Sequence, residues 1–356
     1  MATERIKVAV LDDYQGIAAQ YFGSIAPDQL DITYFPSTLH PKHSAADHDA
    51  LIERLKPFPI IASMRERTPF PASILKALPN LKLLQTTGKR NLAIDLDAAT
   101  EMGIVVAGTD ARHNLGQSKF NRVKPDSTTT HCWAMILGLS RHIARDDRIV
   151  KEGGWQGATL ATALPGKTLA LCGLGRLGTA VGRIAVVGFG MRVMCWSSSL
   201  TQEKADEQAK SAGLEAGEFE AVSKEELFRQ ADVLSVHYVL SDHSRGIVGK
   251  QELEWMKPSA LLVNTSRGPL VDDDAAFEAL NSGRISGAAF DVFDQEPLPK
   301  DSRWRTTKWG EGGRGEVLLS PHMGYGETET LHSFWKDSAA NIGRWIRGEE
   351  LAVKMN

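Results

Sequence analysis

Residues 169–196 read LALCGLGRLGTAVGRIAVVGFGMRVMCW, and the order of apolar runs and glycines in this stretch decides the fold. Thr168 to Cys172 is an apolar run of the length and character of a buried strand. Gly173, Gly175 and Gly178 follow in the order G-x-G-x-x-G, with Arg176 and Leu177 inside the motif. A helical pattern through Leu177, Val181, Ile184 and Ala185 ends at Gly188 and Gly190, and a second apolar run, Met191 to Trp196, closes the unit. Between strand and helix the three glycines serve three physical needs, namely a tight turn, close backbone approach to a pyrophosphate, and tight packing of helix on strand. The free amides and the dipole at the helix start then hold phosphate. The stretch predicts a dinucleotide site at Gly173, Gly175, Arg176, Leu177 and Gly178. Just upstream, Pro165-Gly166-Lys167-Thr168 ends like a P-loop, but Ala161 stands where that motif needs glycine and Lys167 precedes a strand. We read it as a turn into the sheet.

At 356 residues the chain has room for two domains with full cores. Its 41 basic and 44 acidic side chains give a net charge of −3, which points to neither nucleic acid nor an anionic membrane surface. Cys132, Cys172 and Cys195 form no CxxC pair, and two of them sit in apolar strand runs, so buried thiols in a reducing compartment are expected. No signal-peptide pattern opens the sequence, and Arg176, Arg183 and Arg192 interrupt its most apolar region. A cytoplasmic α/β protein is the expectation, with no membrane and no nucleic-acid partner.

Short apolar runs alternate with helical stretches, the pattern of parallel sheets built from βαβ units. Lys7–Leu11, Ile32–Phe35, Ile60–Ser63, Leu81–Gln85 and Ile104–Ala107 read as strands, with helices near 14–23, 45–55, 71–78 and 94–101. This first part carries no glycine phosphate loop. Residues 126–145 read as one strong helix capped by Asp126 or Ser127, with Trp133, Ile136 and Leu137 on its apolar face. Residues 116–125 and 299–316 read as loops, the second polar, glycine-rich and aperiodic. Further strands are expected at Val233–Tyr238, Ala260–Asn264, Gly287–Val292 and Val317–Ser320, and a helix over 327–347.

Three of these strands end in chemistry. Asn264-Thr265-Ser266-Arg267-Gly268 follows one, Asp291-Val292-Phe293-Asp294-Gln295-Glu296-Pro297 the next, and Ser320-Pro321-His322 the third. Ligands of open parallel sheets bind at the carboxyl ends of the strands. Reducing a 2-keto acid places negative charge on the carbonyl oxygen as hydride reaches carbon. An imidazolium can supply the proton, a neighbouring carboxylate can orient the ring, and a guanidinium matches carboxylate and carbonyl oxygens. Alone, Arg267 reads equally as a surface charge, Glu296 as a turn residue and His322 as a loop histidine; their shared edge beside the glycine motif argues for a site. His237 and Tyr238, late in one strand, and Thr265 after the next lie near that edge as cofactor-lining candidates, with a core or capping role the alternative for His237. In the first part, Arg65 and the turn Thr87-Gly88-Lys89 follow strands and suit a substrate carboxylate, though Met64-Arg65-Glu66-Arg67 reads more readily as a solvated loop. His131, inside the long helix, reads as structural. His40, His43 and His48 lack partners at metal spacing, so no metal site is expected.

The segments GLGRLG, VNTSRGPLVD, GAAFDVFDQEPLP and SPHMG, in this order, resemble the D-isomer-specific 2-hydroxyacid dehydrogenases, and the likeness runs from about residue 55 to the end. The resemblance implies an NAD(P)-dependent oxidoreductase of 2-keto or D-2-hydroxy acids, usually a homodimer. It implies two Rossmann-like or flavodoxin-like parallel-sheet domains with the active site in the cleft between them. Residues 1–110 would form the first part of the substrate domain, 111–323 the dinucleotide domain, and 324–356 a C-terminal helix returning to the first. By the same likeness Arg267 binds substrate, Glu296 partners His322, and His322 is the general acid/base. Asp291 matches the aspartate at the nicotinamide amide, and Thr87, Gly88 and Lys89 match the loop whose amides hold the substrate carboxylate.

The sequence departs from that pattern at the end of the second strand of the dinucleotide motif, where Trp196-Ser197-Ser198-Ser199 carries no aspartate. Without a carboxylate to repel a 2′-phosphate, and with Ser197 and Ser198 able to donate to one, NADP(H) is expected ahead of NAD(H), with both admitted. Thr130 stands before His131 where an acidic residue is usual, and 116–125 and 299–316 read as insertions. The alternatives are a nucleotide-sensing corepressor-like protein of the same fold, or a phosphoglycerate or formate dehydrogenase relative.

Overall fold

The computed structural model describes residues 5–26, 28–110 and 126–356, and these form two compact units. One takes the described residues up to Asp110 together with Glu327–Asn356; the other runs from Asp126 to Gly326. The expected 116–125 loop lies outside the described residues.

In the smaller unit β1 (Ile6–Leu11), β2 (Leu30–Phe35), β3 (Ile60–Ser63), β4 (Leu83–Thr86) and β5 (Val105–Ala107) form a parallel sheet in the order β2-β1-β3-β4-β5. Val8, Val10, Ile60, Ile61 and Leu83 are fully buried, as a parallel sheet covered on both faces requires. The helix expected over 14–23 shortens to Ala19–Phe22, because Asp13 folds the preceding turn by accepting the Ile17 and Ala18 amides. The C-terminal helix Thr328–Ile346 belongs to this unit. Its Asn341 donates to the Gly108 carbonyl at 2.8 Å, and its buried Trp335 meets Phe22 edge-on.

The larger unit holds β6 (Thr168–Cys172), β7 (Arg192–Trp196), β8 (Phe219–Ala221), β9 (Val233–Val236), β10 (Leu261–Asn264), β11 (Gly287–Phe290) and β12 (Glu316–Leu319). All seven are parallel, in the order β12-β11-β10-β9-β6-β7-β8. Strand order reverses at β6, which places the glycine motif at the switch point of a doubly wound sheet. β9 and β11 end two residues sooner than their apolar runs suggest, so His237, Tyr238, Asp291 and Val292 lie past the strands.

Two further sequence expectations need correction. The single helix over 126–145 is two helices, Ser127–Ser140 and Ile143–Lys151. Asp126 caps the first as expected, its carboxylate accepting the Thr129 amide at 2.8 Å. The break falls at His142, which adopts a left-handed backbone (φ 55°) with its ring against the Leu160 carbonyl. The 299–316 stretch, expected as a plain surface loop, is anchored. It contains the short helix Arg303–Thr306, whose Trp304 is buried beside Phe277, Phe290 and Trp309 and donates to Asp273 at 2.7 Å. Aromatics spaced without a period leave no helical or strand signature, yet each buries a large apolar area. Trp304→Ala should therefore destabilise the protein by about 3–5 kcal/mol, through a cavity and an Asp273 stripped of a partner. Urea unfolding checks this; a loss under about 1 kcal/mol would mean the insertion is not part of the core.

Candidate active site

The glycine motif is built as a cradle. Gly173 has φ 106°, and a Cβ there would lie 2.7 Å from the His237 carbonyl, so only glycine permits the β6 and β9 ends to meet. A Cβ on Gly178 would strike the Gly173 carbonyl, which locks the helix Arg176–Phe189 down onto the strand. A Cβ on Gly175 would meet nothing within 4 Å: the space before the helix start is open. That fourteen-residue helix has no side-chain cap and no acidic residue in its first turn. Uncapped amides, helix dipole and open space together fit a pyrophosphate. Beside the motif, Arg176 pairs with Asp126.

At the end of β7, the Ser198 amide donates to the Tyr238 hydroxyl at 2.9 Å, and that hydroxyl donates to Ser198 Oγ at 3.0 Å. Trp196 stacks on Tyr238, and Lys224 lies 5.4 Å from the Trp196 ring while bonding Glu252. The sequence candidates Ser198 and Tyr238, forty residues apart, thus meet beyond the end of β7. His237 bonds Ser235 through Nε2 at 2.9 Å, while its Nδ1 is buried with no hydrogen-bond partner among the described residues. Burial pushes the imidazole down to about 4, so the ring is neutral near pH 7.

The β10 loop is shaped by Asn264. Its side chain accepts the Ser266 amide at 3.1 Å and donates to the Arg267 carbonyl at 2.9 Å. Thr265 is buried, and Ser266 Oγ ties the loop to the Val236 carbonyl. Half-buried Arg267 contributes a guanidinium that also bonds the Ser266 carbonyl. A Cβ on Gly268 would collide with the Phe293 backbone, so the Arg267 loop lies directly on the loop carrying Glu296.

Glu296 and His322 meet. Glu296 Oε1 accepts the Phe293 amide at 2.8 Å, which leaves Oε2 facing His322 Nδ1 at 2.6 Å. An ionised carboxylate only accepts, so Nδ1 carries the proton of this bond and Nε2 is left for exchange with a ligand. His322 is itself left-handed (φ 54°), a conformation that for a non-glycine residue costs about 1–3 kcal/mol and persists only where the surroundings impose it. Its amide donates to the Asp291 carbonyl at 2.7 Å, and Tyr325 meets its ring edge-on. Asp291, expected at the cofactor, is 1% exposed with its carboxylate on the Met323 and Gly324 amides and on His131. The sequence reading of His131 missed this contact. Tyr325 was missed as well; its place in the glycine-flanked segment MGYGE was the available signal.

In the smaller unit, the Arg65 amide donates to Thr87 Oγ1 at 3.0 Å and the Arg65 guanidinium covers the face of Gly88. The expectation of exposed amides on this turn fails at Gly88, whose buried N–H donates to Thr109 Oγ1 at 2.8 Å. Lys89 pairs with Asp110. Among the described residues no group of three or more His, Cys, Asp or Glu side chains could hold a metal.

Residues 133–324 match the family model described as "D-isomer specific 2-hydroxyacid dehydrogenase, NAD binding domain". The chain is 32% identical over 304 residues to the glyoxylate reductase of Korarchaeum cryptofilum, covering 84% of this chain and 83% of that protein. It is 24% identical to the hydroxypyruvate reductase of Blautia hydrogenotrophica over 98% of this chain and 99% of the other. A crystal structure described as a phosphoglycerate oxidoreductase of Vibrio cholerae superimposes with a TM-score of 0.80 at 33% identity, covering 96% of this chain and 99% of that one. With its glycine cradle at the switch point and its family motifs at adjoining strand ends, the chain belongs to the D-isomer-specific 2-hydroxyacid dehydrogenases, oxidoreductases with a nicotinamide-binding domain.

Proposed function

We propose that this protein reduces small 2-keto acids of the glyoxylate and hydroxypyruvate class to D-2-hydroxy acids, and catalyses the reverse. The observation that carries the reading is the 2.6 Å Glu296–His322 pair on the sheet edge that also bears the uncapped glycine cradle. The bound nicotinamide supplies the hydride. His322 delivers the proton from Nε2 to the keto oxygen as that oxygen gains charge, so the C=O becomes CH–OH with atoms and charge in balance. Glu296 holds Nδ1–H, fixing the tautomer and the ring plane. Arg267 offers its fork to the substrate carboxylate and keto oxygen. Gly173, Gly175, Arg176, Leu177 and Gly178 hold the pyrophosphate; His237, Tyr238, Thr265 and Asp291 line the cofactor. Arg65, Thr87 and Lys89 are assigned to the substrate carboxylate.

NADP(H) is favoured over NAD(H), because β7 ends in Ser197 and Ser198 with no carboxylate to repel a 2′-phosphate. A homodimer is proposed from an exposed apolar face. Ile143 and Val150 on the helix Ile143–Lys151 are 60% and 51% exposed, and Trp155 and Leu160 beyond it are 78% and 90% exposed. Sedimentation should give two copies per particle, and a monomer at micromolar concentration removes this part. No helix of the described residues is long and apolar enough to cross a membrane, and a cytoplasmic location is proposed.

Oxidation of NADPH and NADH by glyoxylate, hydroxypyruvate, phenylpyruvate and 3-phosphohydroxypyruvate tests the reading. Turnover with one of the first two is expected, and turnover with the phosphorylated acid alone would move the protein to a phosphoglycerate activity. His322→Ala should lower kcat about 10²–10⁴-fold while cofactor still binds; near-normal turnover removes His322 from the mechanism. Ser197→Asp should shift the preference toward NADH, and an unchanged ratio would mean that Ser197 does not face the ribose.

A further inference from the structure

Asp291 grips the chain on and after His322. Its carbonyl accepts the His322 amide at 2.7 Å, its Oδ1 the Met323 amide at 2.8 Å, and its Oδ2 the Gly324 amide at 2.9 Å. Three successive amides therefore converge on one buried residue of the neighbouring loop. The carboxylate is in turn held from a separate element. His131, on the helix Ser127–Ser140, places Nε2 3.1 Å from Oδ1, and the Ser320 hydroxyl, 3.1 Å from the same nitrogen, also bonds Asp291. Burial alone would raise the Asp291 carboxyl; the bonds from His131, Ser320 and the Met323 amide outweigh it and hold the group below its ordinary value. An ionised carboxylate has no proton to give, so His131 Nε2 is the donor. There is little slack, since a Cβ on Gly324 would lie 3.2 Å from Oδ2 and 3.4 Å from Thr128.

We infer that His131 is a positioning residue: by donating to Asp291 it orients the carboxylate that holds the Met323 and Gly324 amides, and so fixes the left-handed backbone that brings His322 onto Glu296. The consequence for turnover rests on the reductase reading; the clamp itself does not.

Two readouts test it in the full-length protein. In His131→Phe, amide hydrogen exchange should accelerate at Met323 and Gly324 while β11 keeps its protection. In the same variant kcat should fall on the order of 10²-fold, with KM for the keto acid within about twofold, because the acid is displaced and the groups that hold the substrate are not. His131→Gln, whose amide nitrogen reaches the same oxygen, should restore both properties, and the shorter His131→Asn should not. If His131→Phe fails to fold, the Gln and Asn pair carries the comparison. Unchanged protection of Met323 and Gly324 in His131→Phe, or in its place His131→Asn, overturns the inference. So does a Gln variant that exchanges as fast as the Asn variant. Should the wild type oxidise no cofactor with any keto acid, the function reading fails, and the exchange data still decide the clamp.

Discussion

In the seven-stranded parallel sheet the four adjacent strands β6, β9, β10 and β11 are buried throughout and leave few places for a polar, reactive side chain. The faces are closed: Leu171, Leu234, Leu262 and Ala288 have no exposure. A parallel sheet also sends every strand out at the same edge, so each carboxyl end starts a loop there. Backbone groups freed at that edge must find partners, and here they find them in side chains of the same or a neighbouring loop. Asn264 closes the β10 loop on itself, Glu296 takes the Phe293 amide, and Asp291 takes the amides around His322. The hydrogen bonds that finish the sheet are the ones that shape the candidate site.

This explains why the site is stiff where chemistry needs it to be. The Glu296 carboxylate is divided, one oxygen spent on the backbone and the other on the His322 ring, so its rotation is set before any ligand arrives. His322 stands on a backbone conformation that it would not choose alone. Strain of that kind is held by the surrounding bonds, and it points the ring in one direction. A ring held in this way is what proton transfer to a developing oxyanion, the step proposed for His322, asks of a protein.

Much of this was legible in the sequence because its signals are local. Strands of four or five apolar residues, the spacing of Gly173, Gly175 and Gly178, and the sequence of strand-end motifs each occupy a short window. What was not legible depends on contacts distant in the chain or on backbone conformations without a residue signature. His142 breaks a helix by going left-handed, and nothing in SRHIAR announces it. Trp304 buries itself against Phe277 and Phe290 from a stretch that looks polar and aperiodic. The three-residue β8 is too short to carry a period. His131 read only as structural because its partner, Asp291, reaches it only after β11 is paired. The Gly88 turn looked like a set of free amides because sequence shows a glycine and not that Thr109 already takes its N–H.

In the proposed reaction hydride goes to one face of C2 of the keto acid and His322 gives a proton to the keto oxygen. The most direct measurement reduces hydroxypyruvate with a reduced nicotinamide cofactor carrying deuterium at both hydrogens of the ring carbon that gives up hydride, followed by chiral analysis and mass spectrometry of the product. A D-configured 2-hydroxy acid with one deuterium at C2 is expected. A product of L configuration, or one without deuterium at C2, would contradict it.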